Sequence, residues 1–65
     1  NANIARQVIV AKNSIKINET FNLDNLSVKR AGKGMSPMLI HELTGQRSSK
    51  EYQTDDLIDE PLFAG

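Results

Sequence analysis

Three cations and two glycines stand together in residues 28–37: Lys29, Arg30 and Lys33, with Gly32 and Gly34 among them. Glycine reaches backbone angles closed to other residues, so a loop of this composition can present a side chain in an unusual position. A Gly-rich run ahead of a helix start can also cradle a phosphate on its backbone N–H groups. The spacing here fits neither the dinucleotide fingerprint nor the P-loop. Solvated charge is the plain alternative for all three cations. Arg30 is singled out because its planar guanidinium fork can grip a carbonyl or carboxylate in a way that lysine cannot.

The remaining chemistry-bearing residues assemble less well. His41 is the only histidine, with Glu42 beside it. Adjacent helix positions face different ways, so the pair does not begin a metal site and His41 reads as a surface residue. Asp55, Asp56, Asp59 and Glu60 lack the glycine and alternating oxygen ligands of a calcium loop. Paired as glycosidase carboxylates, they would need a cleft that so short a chain scarcely encloses. They read as turn caps and a solvated acidic face. The chain has no cysteine, and its serines lack a supporting His–Asp arrangement, so nucleophilic catalysis has no visible machinery.

The elements that must position these residues are bounded by size. The chain has 65 residues, enough for one domain with one small core. No disulfide framework or thiolate metal site supplements that core. No apolar run approaches a signal peptide or membrane span, and a soluble, cytoplasmic domain with no membrane partner is expected. The net charge of zero hides an asymmetry: all eight bases lie in the first 50 positions, and five of the eight acids lie in the last 15. With only Phe21, Tyr52 and Phe63 as aromatics, the basic part lacks the stacking residues of a nucleic-acid surface. No nucleic-acid partner is expected.

In chain order, residues 1–5 read as the end of a linker. Residues 6–12 are β-branched and partly alternating, which predicts a short strand with Val8 and Val10 on one side and Ile9 and Ala11 on the other. Asn13-Ser14 is a turn. Ile15 and Ile17 alternate with polar residues up to a second turn at Asn18-Glu19, where Asn18 suits the left-handed conformation. Phe21 and Leu23 continue the alternation, and Asp24 is placed to cap one helical turn through Asn25 and Leu26. Residues 28–30 return to an extended conformation and lead into the basic loop. A short helix is predicted over 37–43, with Ser36 as N-cap, Pro37 at the first helical position and Gly45 beyond the end. Met35 and Ile40 have the spacing of a hydrophobic staple, and Leu39 and Leu43 share a face. Residues 46–50 are polar, and Tyr52 is the sizeable apolar anchor next to them. Residues 54–58 repeat 23–27 in outline, which hints at two halves about an approximate twofold axis. Residues 6–60 form the domain, and 61–65 are a loose tail. The fold class is mostly β, with short helical turns.

The order and spacing of several pieces resemble a known family. These are Val10-Ala11-Lys12, Ile15-Lys16, Phe21, Asp24-Asn25-Leu26, the run Lys29-Arg30-x-Gly32-x-Gly34-Met35-Ser36-Pro37-Met38, Leu43-x-Gly45 and Asp55-Asp56-Leu57-Ile58. Over residues 6–58 they resemble the C-terminal antifreeze-like (SAF) domain of bacterial sialic acid synthases. The resemblance implies a β-clip fold with pseudo-twofold halves. It also implies a TIM-barrel domain beyond this chain that condenses phosphoenolpyruvate with N-acetylmannosamine or a related hexose, using a divalent metal such as manganese or magnesium. This domain would hold no cofactor and no catalytic residue. It would cover the barrel of the partner protomer in a domain-swapped homodimer, with Arg30 at the position that contacts the sugar's N-acetyl group and Gly32 and Gly34 shaping the loop. Ala31 stands where the family usually has proline, which implies a less rigid loop, and Asn18 stands where glycine is common.

Type III antifreeze proteins share this fold and length. The surface corresponding to their ice face would comprise Asn13, Ser14, Ile17, Asn18, Glu19, Thr20, Asn22, Asp24 and Asn25. Glu19 and Asp24 put charge on it, which disfavours ordering water against it. A third possibility is a binding module of this fold in another enzyme or assembly factor.

Overall fold

The computed structural model describes residues 6–61. The linker end expected over 1–5, and the tail beyond Pro61, lie outside the described residues. Two strands, β1 (Arg6–Ala11) and β2 (Leu26–Ala31), pair antiparallel, followed by a 3₁₀ turn (Pro37–Leu39) that runs into a short helix, α1 (Ile40–Leu43). Isolated bridges join Val10 to Leu57, Ile15 to Tyr52 and Thr20 to Arg47. The architecture is the small, mostly-strand fold with one short helix that the sequence pattern predicts.

β1 is the centre of the molecule. Val8, Ile9, Val10 and Ala11 are all buried, so both faces of the strand are covered. Its backbone groups also point both ways. Ile9 donates to the Met35 carbonyl at 3.0 Å and accepts from Ile58 at 3.1 Å, while Ala11 donates to Asp56 at 2.9 Å and accepts from Asp55 at 2.8 Å. Alternation then turns Arg6, Val8 and Val10 toward β2 in the hydrogen-bonded pairs of the ladder. Sequence alternation alone distinguishes two faces of β1, but the residues that cover both come from distant parts of the chain.

The core gathers Ile9, Ala11, Ile15, Phe21, Leu26, Leu43, Tyr52 and Ile58, with Met35 and Ile40 packed against it. The Phe21 and Tyr52 rings meet tilted at 57°, with centroids 6.1 Å apart, a geometry that adds about 0.5–1.5 kcal/mol beyond area burial. Leu23 does not share the core with Phe21: it is exposed, because residues 23–25 form a turn rather than extended chain. The cap of that turn is Asn22, not Asp24. Asn22 Oδ1 accepts from the N–H groups of Asp24 at 2.8 Å and Asn25 at 3.0 Å. Asn22 stands further upstream than the expected cap, where its short side chain reaches both donors.

The twofold relation exists, with a different equivalence from the expected one. Ile15 and Tyr52 exchange both backbone bonds, at 2.9 and 2.8 Å. On one side of that pair, Asn18 donates to Ser48 and Ser48 to Glu19; on the other, Asp55 donates to Ala11 and Ala11 to Asp56. Phe21 to Gln46 likewise matches Ile58 to Ile9. Every match is the same shift along the chain, the one that takes Ile15 to Tyr52. The turn at 53–56 therefore corresponds to 16–19, not to 22–25. The left-handed residues agree, Asn18 at φ 69° and Asp55 at φ 71°. So do the closing side chains: Glu19 accepts from Lys16 N–H and Asp56 from Gln53 N–H, each at 2.8 Å. The turn at 22–25 mimics this locally, with Asn25 Oδ1 accepting from Asn22 N–H at 2.9 Å. Its Asn25 carbonyl, however, pairs with Lys12 and extends the β1–β2 ladder.

The helix start is as predicted. Ser36 Oγ accepts from Met38 N–H at 3.2 Å, and Pro37 occupies the first turn. Gly45 takes φ 91° after the end and donates to Phe21 at 2.9 Å, tying the helix exit to the core.

Candidate functional site

The three cations of residues 28–37 do not share a loop. Lys29 and Arg30 belong to β2, and only Lys33 lies in the connection after it. Neighbouring strand residues point to opposite faces, so Lys29 sits across from Val8 and Arg30 across from Gln7 on the other face. The extended conformation predicted for residues 28–30 is present within β2, and the ladder continues one residue further, through Ala31 opposite Arg6.

Arg30 stands at the end of a graded row. Leu26, Val28 and Arg30 share the face of β2 that carries Leu26 into the core, and exposure rises from 4% at Leu26 to 38% at Val28, with Arg30 exposed as well. The row thus leaves the core as it approaches Arg30. The ladder still pairs its backbone there, Arg30 with Gln7 and Ala31 with Arg6, although both partners are themselves exposed. A guanidinium is thereby carried on a strand rather than on a floppy loop, which fixes its base to a rigid element. Among charged side chains, this one offers five donors in a plane, suited to an oxygen acceptor with two lone pairs.

The connection after β2 folds back over β1. Arg6 Nη2 donates to the Gly34 carbonyl at 3.3 Å, and the Met35 carbonyl receives the Ile9 N–H. Gly34 has φ 141°, and a Cβ there would lie 2.8 Å from Val8 Cβ. The close approach of loop to strand therefore requires glycine. At Gly32 nothing lies within 4 Å of the corresponding position. Beside this loop is an open cavity of about 510 Å³ lined by Lys33, Met35, Lys50, Leu57, Ile58 and Asp59.

The other candidates separate. His41 is exposed on α1, and among the described residues no group of three or more His, Cys, Asp or Glu side chains is placed to hold a metal ion. The acidic face is real for Asp55, Asp56 and Asp59, which are exposed, but not for Glu60. Glu60 is only 7% exposed. It accepts from Ser49 N–H at 3.0 Å, Ser49 Oγ at 3.0 Å and the Tyr52 hydroxyl at 2.7 Å. Tyr52 Oη in turn accepts from Asp59 N–H at 3.2 Å. Burial, and next the bond to Glu60, push the Tyr52 hydroxyl well above its ordinary pKa. The network clasps the end of the domain to Ser49 and Tyr52. Nothing local in Asp-Glu-Pro signals it, since its partners come from eight and eleven residues away. The Glu60 carboxylate is thus a fastening of the fold, its oxygens engaged by Ser49 and Tyr52.

No helix among the described residues is long and apolar enough to cross a membrane. Residues 6–64 match the SAF domain family. The chain is 43% identical over 60 residues to the N,N'-diacetyllegionaminic acid synthase of Campylobacter jejuni, a match covering 92% of this chain and 18% of that protein. It is also 35% identical over 54 residues to an uncharacterized protein of Methanocaldococcus jannaschii, covering 83% of this chain and 16% of that one. The chain thus spans less than a fifth of the length of the curated relatives it matches.

Proposed function

The chain belongs to the SAF domain family, and from that membership we propose that it is the accessory domain of a nonulosonate synthase of the sialic acid synthase type. In this reading the domain covers the mouth of a TIM barrel on the partner protomer of a homodimer. The barrel condenses phosphoenolpyruvate with an N-acetylated hexose, N-acetylmannosamine or a related sugar. Phosphoenolpyruvate and a divalent metal, manganese or magnesium, belong to the barrel, and no residue of this chain is assigned to them. The active site of such a barrel lies at its loop-lined face, where a second domain can reach it.

The observation that carries the reading is Arg30, exposed at the far end of a row that begins in the core. Its guanidinium is the group that would donate to the acetamido carbonyl of the sugar. A charge-assisted bond of this kind fixes orientation, and holding the sugar in one pose lowers the entropic part of the barrier to carbon–carbon bond formation. The domain does no covalent chemistry in this account: it positions substrate and excludes water from the barrel mouth.

Heterodimer complementation tests the proposal in the complete enzyme. Arg30→Ala chains are mixed with chains whose barrel is inactivated. If the domain serves the partner's barrel, the mixed dimer contains one site with an intact barrel and an intact Arg30, and activity returns. If the domain serves its own barrel, every mixed site is defective and no activity returns.

A further inference from the structure

The cavity beside the Gly34 loop is positioned and charged to receive a carboxylate. Lys33 and Lys50 line it together with the apolar Met35, Leu57 and Ile58, and the Lys50 ammonium lies beside the lining Asp59. Lys33 makes no ion pair among the described residues. Lys50 is held loosely: its Nζ is 3.9 Å from Asp59 Oδ2, with the two side chains 53% and 89% exposed, and 5.5 Å from the centre of the Tyr52 ring. An exposed pair at that separation contributes little, so it yields readily to a better-placed acceptor. Two cations against one solvated carboxylate leave the cavity with an excess of positive charge.

Its position limits what fills it. Lys33 follows Arg30 by three residues, so the two Cα atoms are at most about 11 Å apart. On the lid reading, a domain-sized body over Arg30 is large enough to span that distance to the rim as well. More than four-fifths of the length of the legionaminic acid synthase that this chain matches lies outside the match, and on the lid reading the barrel domain is that body. We propose that the cavity receives an acidic side chain from the surface of the barrel domain, its carboxylate between Lys33 and Lys50 and an adjoining apolar residue on Met35 and Leu57. This rests on the lid reading above, and adds the second contact that would hold Arg30 in register over the barrel mouth.

Zero-length carbodiimide coupling of the complete enzyme tests it, because the reagent joins an ammonium to a carboxylate in direct contact and peptide mass spectrometry then identifies both. The expected product links Lys33 or Lys50 to an Asp or Glu of the barrel. Lys33→Glu, a change at an exposed position, lowers kcat/KM for the sugar by roughly fivefold, and replacing the linked carboxylate by lysine restores it. Coupling of Lys50 to Asp59 alone overturns the proposal, as does coupling only to a carboxylate within residues 1–65 of a second copy. Recovery of activity in the mixed dimer without a Lys33 or Lys50 link overturns the docking contact and leaves the lid reading standing. A link to the barrel without recovery of activity does the reverse.

Discussion

Replacing Gly34 by alanine should cost a large part of the domain's stability, while the same change at Gly32 should not. The added methyl at Gly34 meets three atoms of Val8, at 2.8, 3.0 and 3.1 Å, on a backbone at φ 141°. Overpacking against a filled site costs about 1–3 kcal/mol, and a non-glycine residue in that region of φ adds on the order of 1–3 kcal/mol. Val8 is fully buried in the central strand, so it has little room to yield. A loss of about 2–6 kcal/mol is expected from the two together, against a total of roughly 3–10 kcal/mol for a chain this short. In a domain of this size that corresponds to a fall in Tm of about 15–40 °C. A Cβ added at Gly32 meets nothing within 4 Å, so Gly32→Ala should leave stability unchanged or raise it by about 0.4–1 kcal/mol through the unfolded chain. Urea denaturation of both variants reads the difference. Equal effects, or a harmless Gly34→Ala, would refute the close approach of the loop to β1.

The clasp at the end of the domain gives two further expectations. Glu60→Gln replaces an acceptor of three donors, Ser49 N–H, Ser49 Oγ and Tyr52 Oη, by a group with one acceptor oxygen, and should cost about 1–3 kcal/mol. In a double-mutant cycle with Tyr52→Phe, a coupling energy near zero would show that the bond is not made. Because the folded state raises the pKa of Tyr52 above its ordinary 10.0, its contribution is complete below pH 10 and declines as pH rises beyond it. Stability of the parent should therefore fall faster than that of Tyr52→Phe above that pH, and parallel curves would contradict the burial of the hydroxyl.

Sequence and structure agree best where the physics is local. The Ser36-Pro37 start, the Gly45 exit and the left-handed Asn18 follow from the chemistry of a few neighbouring atoms, and all three are present. β1 ends within one residue of its predicted limit. Leu23 and Asp24 depart from expectation for the opposite reason: alternation and capping preference are both satisfied in the sequence, but Asn22 closes a turn that swings Leu23 outward. Glu60 is the clearest long-range case. Its carboxylate is buried by hydrogen-bond donors whose approach depends on the whole fold. The internal symmetry is visible only in outline from sequence, because side-chain closure recurs in three turns whereas the backbone pairing that defines the axis links just two of them. At the site, Arg30 is legible as a residue type. The extended chain that carries it is legible as well, whereas its pairing opposite Gln7, with Lys29 opposite Val8, comes from the register with β1.

Steady-state kinetics of Arg30→Ala in the complete enzyme tests the central claim most directly. Loss of one charge-assisted bond to the acetamido carbonyl is worth about 1.5–3 kcal/mol, so kcat/KM for the N-acetylated sugar should fall by roughly 10- to 150-fold. Arg30→Lys should recover only part of the loss, and the KM for phosphoenolpyruvate and the dimer should be unchanged. An undiminished kcat/KM for the sugar would contradict the account.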